Sequence, residues 1–192
     1  ANATVSGRNI VGGLVGQLNL ANIDNAYAAG SVTADGSDGG GTAGGLIGTA
    51  ASLNISDSFA VSNVDVPGNA AELGNSFIGM LTDGNVSFSN DFYNVNSGTG
   101  ACATTPEGPV TNENCTGINL SEQPNYFFGN TANAPLAGWD FEGTWHMHAN
   151  AYPTLRPLRS PEIVCEEVSG TSTSVNIACD STPDGWGATT WE

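Results

Sequence analysis

Gly13-Leu14-Val15-Gly16 returns 32 residues later as Gly45-Leu46-Ile47-Gly48 and, 31 residues beyond that, in altered form as Ser76-Phe77-Ile78-Gly79. A fixed period of this length means that one small supersecondary unit is copied along the chain, which constrains the fold more than local propensity does. The match runs past the tetrapeptide. Ile23 and Ile55 follow the last glycine by seven residues, Tyr27 and Phe59 come four later, and Val32 and Val64 five after those. In the third copy Val86 stands at the offset of Ile23 and Ile55, but Phe92 arrives two residues late. That copy is therefore expected to carry a small insertion.

The apolar runs between the glycines are four to eight residues long, rich in Val, Ile, Leu, Tyr and Phe, and bounded by Gly, Asn, Asp and Ser. This is the pattern of strands and turns. Side chains alternate along a strand, so in Ile23-Asp24-Asn25-Ala26-Tyr27 the apolar ends and Asn25 are expected on one face, repeated by Ile55-Ser56-Asp57-Ser58-Phe59. A unit this small cannot bury its apolar face alone, whereas copies stacked about 4.8 Å apart share a continuous core. The expected fold is all-β: a short parallel β-helix or solenoid of about three repeats, right-handed. Its core positions would be Leu14, Ile23, Tyr27, Val32, Leu46, Ile55, Phe59, Val64, Phe77, Val86 and Phe92, with Leu14 and Leu46 almost fully buried. Stacking places Asn25 over Asp57, where polar side chains can satisfy one another along the stack. The glycines suit corners that need positive φ or close backbone approach.

These residues resemble the GLUG-motif repeats, found in arrays on large secreted and surface-attached bacterial proteins, including filamentous-haemagglutinin-like adhesins. The resemblance spans residues 1 to 160, with two full copies and a weaker third. Trp139-Asp140-Phe141, Trp145 and Tyr152-Pro153-Thr154-Leu155 look like the aromatic segment that follows such arrays. Some peptidases that cut immunoglobulin A carry these repeats as accessory parts. Their His-Glu-x-x-His zinc signature has no counterpart here, so peptidase activity is not carried over. Ala1-Asn2-Ala3-Thr4-Val5-Ser6 aligns with Ala28-Ala29-Gly30-Ser31-Val32-Thr33, the second half of a unit. A longer array cut at this point, or a protein processed there, is the expectation.

Four cysteines form two local pairs, Cys102 with Cys115 and Cys165 with Cys179, each bracketing a short loop. Nearest-neighbour disulfides are expected, each worth about 3 kcal/mol by loop closure. Free thiols or a metal site are the alternatives, and no C-x-x-C spacing favours the latter. Disulfides imply an oxidising compartment, hence an extracellular or cell-surface location.

Nineteen acidic residues face three arginines and no lysine, a formal net charge of −16. Such a chain repels phosphate backbones and anionic lipid, which disfavours nucleic-acid binding and direct membrane insertion. Asp35 and Asp38, in a Gly-rich loop, offer the oxygen ligands that calcium takes, though without the full twelve-residue pattern; otherwise no cofactor is expected. His146 and His148 alternate on one strand, a spacing metals use, with Glu142 the nearest further ligand. Packing or solvated histidines are the plainer reading.

Four regions follow from composition: repeats over 1–97, a disulfide-closed loop insertion over 98–125, an aromatic capping segment over 126–160, and a disulfide-closed β-hairpin tail or start of another module over 161–192. The aromatic segment is expected to close an open end of the stack. No nucleophile with its base and no paired carboxylates have recognisable spacing. Asp24, Asp57 and Asp91 recur near equivalent strand positions, which suits a structural ladder better than a catalytic pair. The expected function is a non-catalytic structural or adhesive segment of a secreted bacterial adhesin or surface fibre, contacting protein or glycan on a host, neighbouring-cell or matrix surface. A self-assembling filament subunit, joined head to tail through its C-terminal segment, and a polysaccharide-active β-helix enzyme or accessory module are the alternatives.

Overall fold

The computed structural model describes residues 2–36, 41–67, 74–83, 85–110, 112, 114–134, 136–157, 163–171 and 174–181, with side chains described as far as Pro157. Two compact units divide at Arg156/Pro157. Strands of the first unit are β1 (Asn2–Gly7), β2 (Ile10–Gly12), β3 (Val15–Asp24), β4 (Tyr27–Ala34), β5 (Thr42–Gly44), β6 (Ile47–Ser56), β7 (Phe59–Ala60), β8 (Asn63–Asp65), β9 (Gly74–Asn75), β10 (Ile78–Leu81), β11 (Val86–Ser89) and β12 (Asp91–Asn94). They continue as β13 (Ala103–Thr105), β14 (Gly108–Val110), β15 (Cys115–Ile118), β16 (Trp145–His148) and β17 (Ala151–Leu155). In the second unit β18 (Ile163–Thr171) pairs antiparallel with β19 (Ser174–Ser181), and Cys165 lies opposite Cys179. The side chains of that cysteine pair lie outside the described residues.

Successive copies lie beside one another in parallel register and contribute to three sheets: β1-β4-β7-β12-β15 with β8 on β4, β3-β6 with β10 and β11 on the far side of β6, and β2-β5-β9. Val15 pairs with Ile47 and Ile47 with Ile78, while Tyr27 pairs with Phe59 and Phe59 with Phe92. The partial copy at the start takes the expected alignment, with Val5 on Val32 and Ser6 on Thr33. Leu46, Ile47, Leu53, Ile55, Phe77 and Ile78 are buried in one interior cluster, and Val11, Val32, Ala43 and Val64 in another.

Three details differ from the sequence reading. Leu14 is 44% exposed although Leu46 is fully buried. The backbone stacking is as expected, since the Leu14 amide donates to the Leu46 carbonyl at 2.9 Å and the Leu46 amide to the Phe77 carbonyl at 2.8 Å. Leu46 is thus covered from both sides and Leu14 from one. Val86 pairs with Leu53, and Phe88 takes the place opposite Ile55. Leu81 opposes Ala50, so five residue steps, Leu81 to Val86, cover the ground that three cover from Ala50 to Leu53. The insertion therefore precedes Val86, and from Phe88 onward the four-residue step to the aromatic Phe92 is restored. Finally, Ile23 to Tyr27 is not one strand but two, broken at Asn25-Ala26.

Close approach, not positive φ, explains the repeat glycine at position 45: a Cβ there would sit 2.0 Å from the Ser76 carbonyl oxygen. Deleting the Leu46 side chain beyond Cβ should cost about 2–5 kcal/mol, as for other buried leucines. Leu14→Ala should cost far less because its side chain already meets water. Urea unfolding of the two variants tests the difference; equal losses would contradict the one-sided cover of Leu14.

Candidate functional site

The chemistry-bearing side chains collect at one corner, where each copy turns from β3 to β4, β6 to β7, or β11 to β12. Asn25, Asp57 and Asn90 occupy equivalent turns with φ of 55°, 48° and 56°. Asn and Asp are the side-chain-bearing residues that best tolerate this left-handed conformation. Asn90 Nδ2 donates to Asp57 Oδ1 at 3.0 Å. Loss of water raises the Asp57 pKa, a shift opposed by that bond and assisted by nearby Asp24.

One residue further along, Ala26, Ser58 and Asp91 form a second column with a repeated device: a side chain accepts the amide of the preceding copy. Ala26 N–H donates to Ser58 Oγ at 3.0 Å, and Ser58 N–H donates to Asp91 Oδ1 at 3.1 Å. Ser89 N–H donates to the other carboxyl oxygen at 3.0 Å. Asp91 has no solvent exposure. Burial pushes its pKa up to about 8, overcoming the opposing pull of the two amide bonds, and Asp57 and Asp24 push the same way. Asp24, in contrast, lies level with Ser56 and accepts its hydroxyl at 2.7 Å. The three aspartates therefore stand in three separate columns, not in one recurring ladder.

Successive residues on a strand face opposite ways, and the sheet containing β4, β7 and β12 uses both faces. Ala28, Ala60 and Tyr93 join the interior, whereas Tyr27, Phe59 and Phe92 join a second cluster with Phe127, Leu136, Trp139 and Trp145. Tyr27 stacks on Phe59 with centroids 5.3 Å apart, and Trp139 on Trp145 at 4.6 Å. Trp145 Nε1 donates to Asn25 Oδ1 at 2.8 Å in the first full copy, and Trp139 Nε1 to the Asn90 carbonyl at 2.9 Å in the third. The aromatic segment thus runs along the flank of three copies and does not close an end, because the apolar column needing cover lies on the flank. Arg156 ties the segment together through the carbonyls of Trp145 at 3.0 Å and Phe141 at 2.8 Å.

The end beyond the third copy is covered instead by the cysteine loop. Cys102 and Cys115 are disulfide-bonded with Cα atoms 6.2 Å apart, and both are buried in the interior cluster. The Ile78 amide donates to the Cys102 carbonyl at 2.8 Å, and Cys115 lies opposite Asp91 as β15 extends the sheet. Residues 98–125 are therefore not merely an inserted loop, since part of them is a strand of the main sheet. Nearby, Ser97 Oγ accepts the Val64 amide and donates to the Ser62 carbonyl, both at 2.8 Å, repeating the stapling role of Ser58. Sequence inspection missed Ser58, Ser97 and Asp91 in this role; for Ser58 and Asp91 the signal available was a small polar residue directly after the left-handed Asp57 and Asn90.

Asp38 lies outside the described residues, while the Asp35 amide donates to the Gly7 carbonyl at 2.8 Å. A register shift separates His146 from His148; their rings meet at 4.5 Å, edge to face, and His148 Nε2 bonds Thr154 Oγ1 at 2.8 Å. Among the described residues no group of three or more His, Cys, Asp or Glu is placed to hold a metal ion.

A family model described as the GLUG motif matches residues 7–33, the first complete copy. No curated protein and no solved structure matches the chain.

Asp91 carries a pH signature. In the fold it holds its proton up to about pH 8, whereas the unfolded chain releases it near 3.8. Between those values the unfolded state binds fewer protons, so stability falls as pH rises. This contribution is complete below about pH 4 and lost as pH passes 8. Asp83, whose pKa is lowered chiefly by the Ser52 amide, has the opposite sign and acts only at low pH. The urea midpoint should therefore be lower at pH 9 than at pH 5, and Asp91→Asn should flatten the profile across that range. A wild-type midpoint that rises from pH 5 to pH 9 would contradict the assignment.

Proposed function

We propose that this chain is a non-catalytic segment of a secreted bacterial surface protein, similar in kind to filamentous-haemagglutinin-like adhesins. On this reading the three copies form a short right-handed β-solenoid that spaces or presents a binding surface outside the cell. The buried Cys102–Cys115 disulfide carries the argument. It sits in the interior cluster at 0% and 4% exposure, so its covalent closure belongs to the core. Disulfides of this structural kind form and persist in oxidising compartments. Support also comes from the GLUG match over residues 7–33 and from the use of Ser58, Ser97 and Asp91 as staples of backbone amides. A carboxyl with both oxygens occupied by amides is poorly placed to act on a substrate.

Protease shaving of intact source cells, followed by immunodetection with antibody against this chain, is the direct test. Loss of signal from unbroken cells, or recovery of the chain from the medium, is the expected result. A chain protected until lysis, with Cys102 and Cys115 reduced, would contradict the proposal.

A further inference from the structure

The outer face of the β3-β6-β11 sheet carries a regular polar array. Asn22 lies beside Asn54 and Asn54 beside Ser87; two residues on, Asp24 lies beside Ser56 and Ser56 beside Ser89. Five of the six side chains are exposed and Ser56 is half-buried. Their strand neighbours Leu53, Ile55 and Phe88 are buried in the interior, so the six point away from it. Two cross-strand bonds join its β3 and β6 members: Asn54 Nδ2 donates to Asn22 Oδ1 at 2.8 Å, and Ser56 Oγ donates to Asp24 Oδ1 at 2.7 Å.

We propose that this array is a binding face for a neutral, hydroxyl-rich polysaccharide. The proposal rests on the extracellular reading above and adds a ligand class to it. A sugar hydroxyl both donates and accepts, and the array offers both: amide and carboxylate oxygens that accept, amide N–H groups that donate, and serine hydroxyls that do either. Rows about 4.8 Å apart let neighbouring strands engage successive hydroxyls of one extended polymer. Asn22, Asn54, Asp24 and Ser56, short side chains already bonded in pairs, lose little freedom on binding, which is the entropic cost that flexible surfaces carry.

Other partners fit less well. A polyanion meets two carboxylates in the vicinity, Asp24 and Asp57, on a chain of net charge −16. A protein partner anchors on aromatic, apolar or arginine side chains, and the six contain none.

Depletion of the 192-residue chain by microcrystalline cellulose, insoluble chitin and an insoluble α-glucan tests the idea, with cross-linked polygalacturonate as the anionic comparator. Retention on at least one neutral polymer is expected, insensitive to salt. The double variant Asn54→Ala, Ser56→Ala should weaken retention about tenfold, the equivalent of losing one or two hydrogen bonds. Because that variant also removes two cross-strand bonds, Ser87→Lys provides a second probe: it places a long side chain over the array and leaves both bonds intact. Gln123→Ala, an exposed position elsewhere, should bind as wild type. No retention on any neutral polymer, undiminished retention of both array variants, or retention on polygalacturonate alone would overturn the proposal. Those results would leave the cell-shaving result untouched, so failure of the ligand and failure of the location are read separately.

Discussion

Parallel, in-register pairing of each copy with the next is the constraint on which everything else depends. A single copy has three or four short strands and no way to bury their apolar side chains. Once Leu46 sits between Leu14 and Phe77, and Phe59 between Tyr27 and Phe92, each copy supplies part of the core of its neighbour. That dependence explains the steep contrast between Leu46, wholly buried, and Leu14, which has cover on one side. Identical chemistry at equivalent positions acquires different energetic weight from the number of neighbours alone.

Pairing in this form also fixes the corners. A chain that must turn at the same place in every copy needs a left-handed residue there, and Asn25, Asp57 and Asn90 supply it without glycine. The turn exposes amides that the sheets do not pair, and Ser58 and Asp91 each accept the one offered by the preceding copy; away from this corner, Ser97 accepts the Val64 amide in the same way. Asp91 shows the limit of this arrangement. It satisfies the amides, but in a site so dry that its carboxyl favours the neutral form, linking core stability to pH. The aromatic segment and the disulfide loop then act on different surfaces. One covers the apolar flank formed by Tyr27, Phe59 and Phe92, and the other covers the end of the interior beyond Phe77 and Ile78.

Much of this was legible in the sequence because the repeat is spaced by backbone geometry. The register of Val15 with Ile47, of Tyr27 with Phe59 and of Val5 with Val32 follows from counting residues. Counting failed where the chain could lengthen without disturbing the core. The extra length falls between Leu81 and Val86, where Asp83 accepts the Ser52 amide at 2.7 Å. Since Val86 is as apolar as Phe88, hydrophobicity alone could not decide which of them faces Ile55. The position of the aromatic segment was also illegible. Alternation along β4, β7 and β12 places one large aromatic per copy on the outer face, but a sequence does not say that this face, and not the end, is the larger apolar area to cover.

The cross-strand register of the third copy tests the account most directly, because the corner columns, the position of Asp91 and the polar array all depend on it. In an isotope-labelled sample, backbone NOEs should connect Phe88 with Ile55 and Val86 with Leu53, alongside Phe92 with Phe59. NOEs linking Val86 with Ile55 would contradict the account, for they would move Ser87, Ser89 and Asp91 out of the columns described.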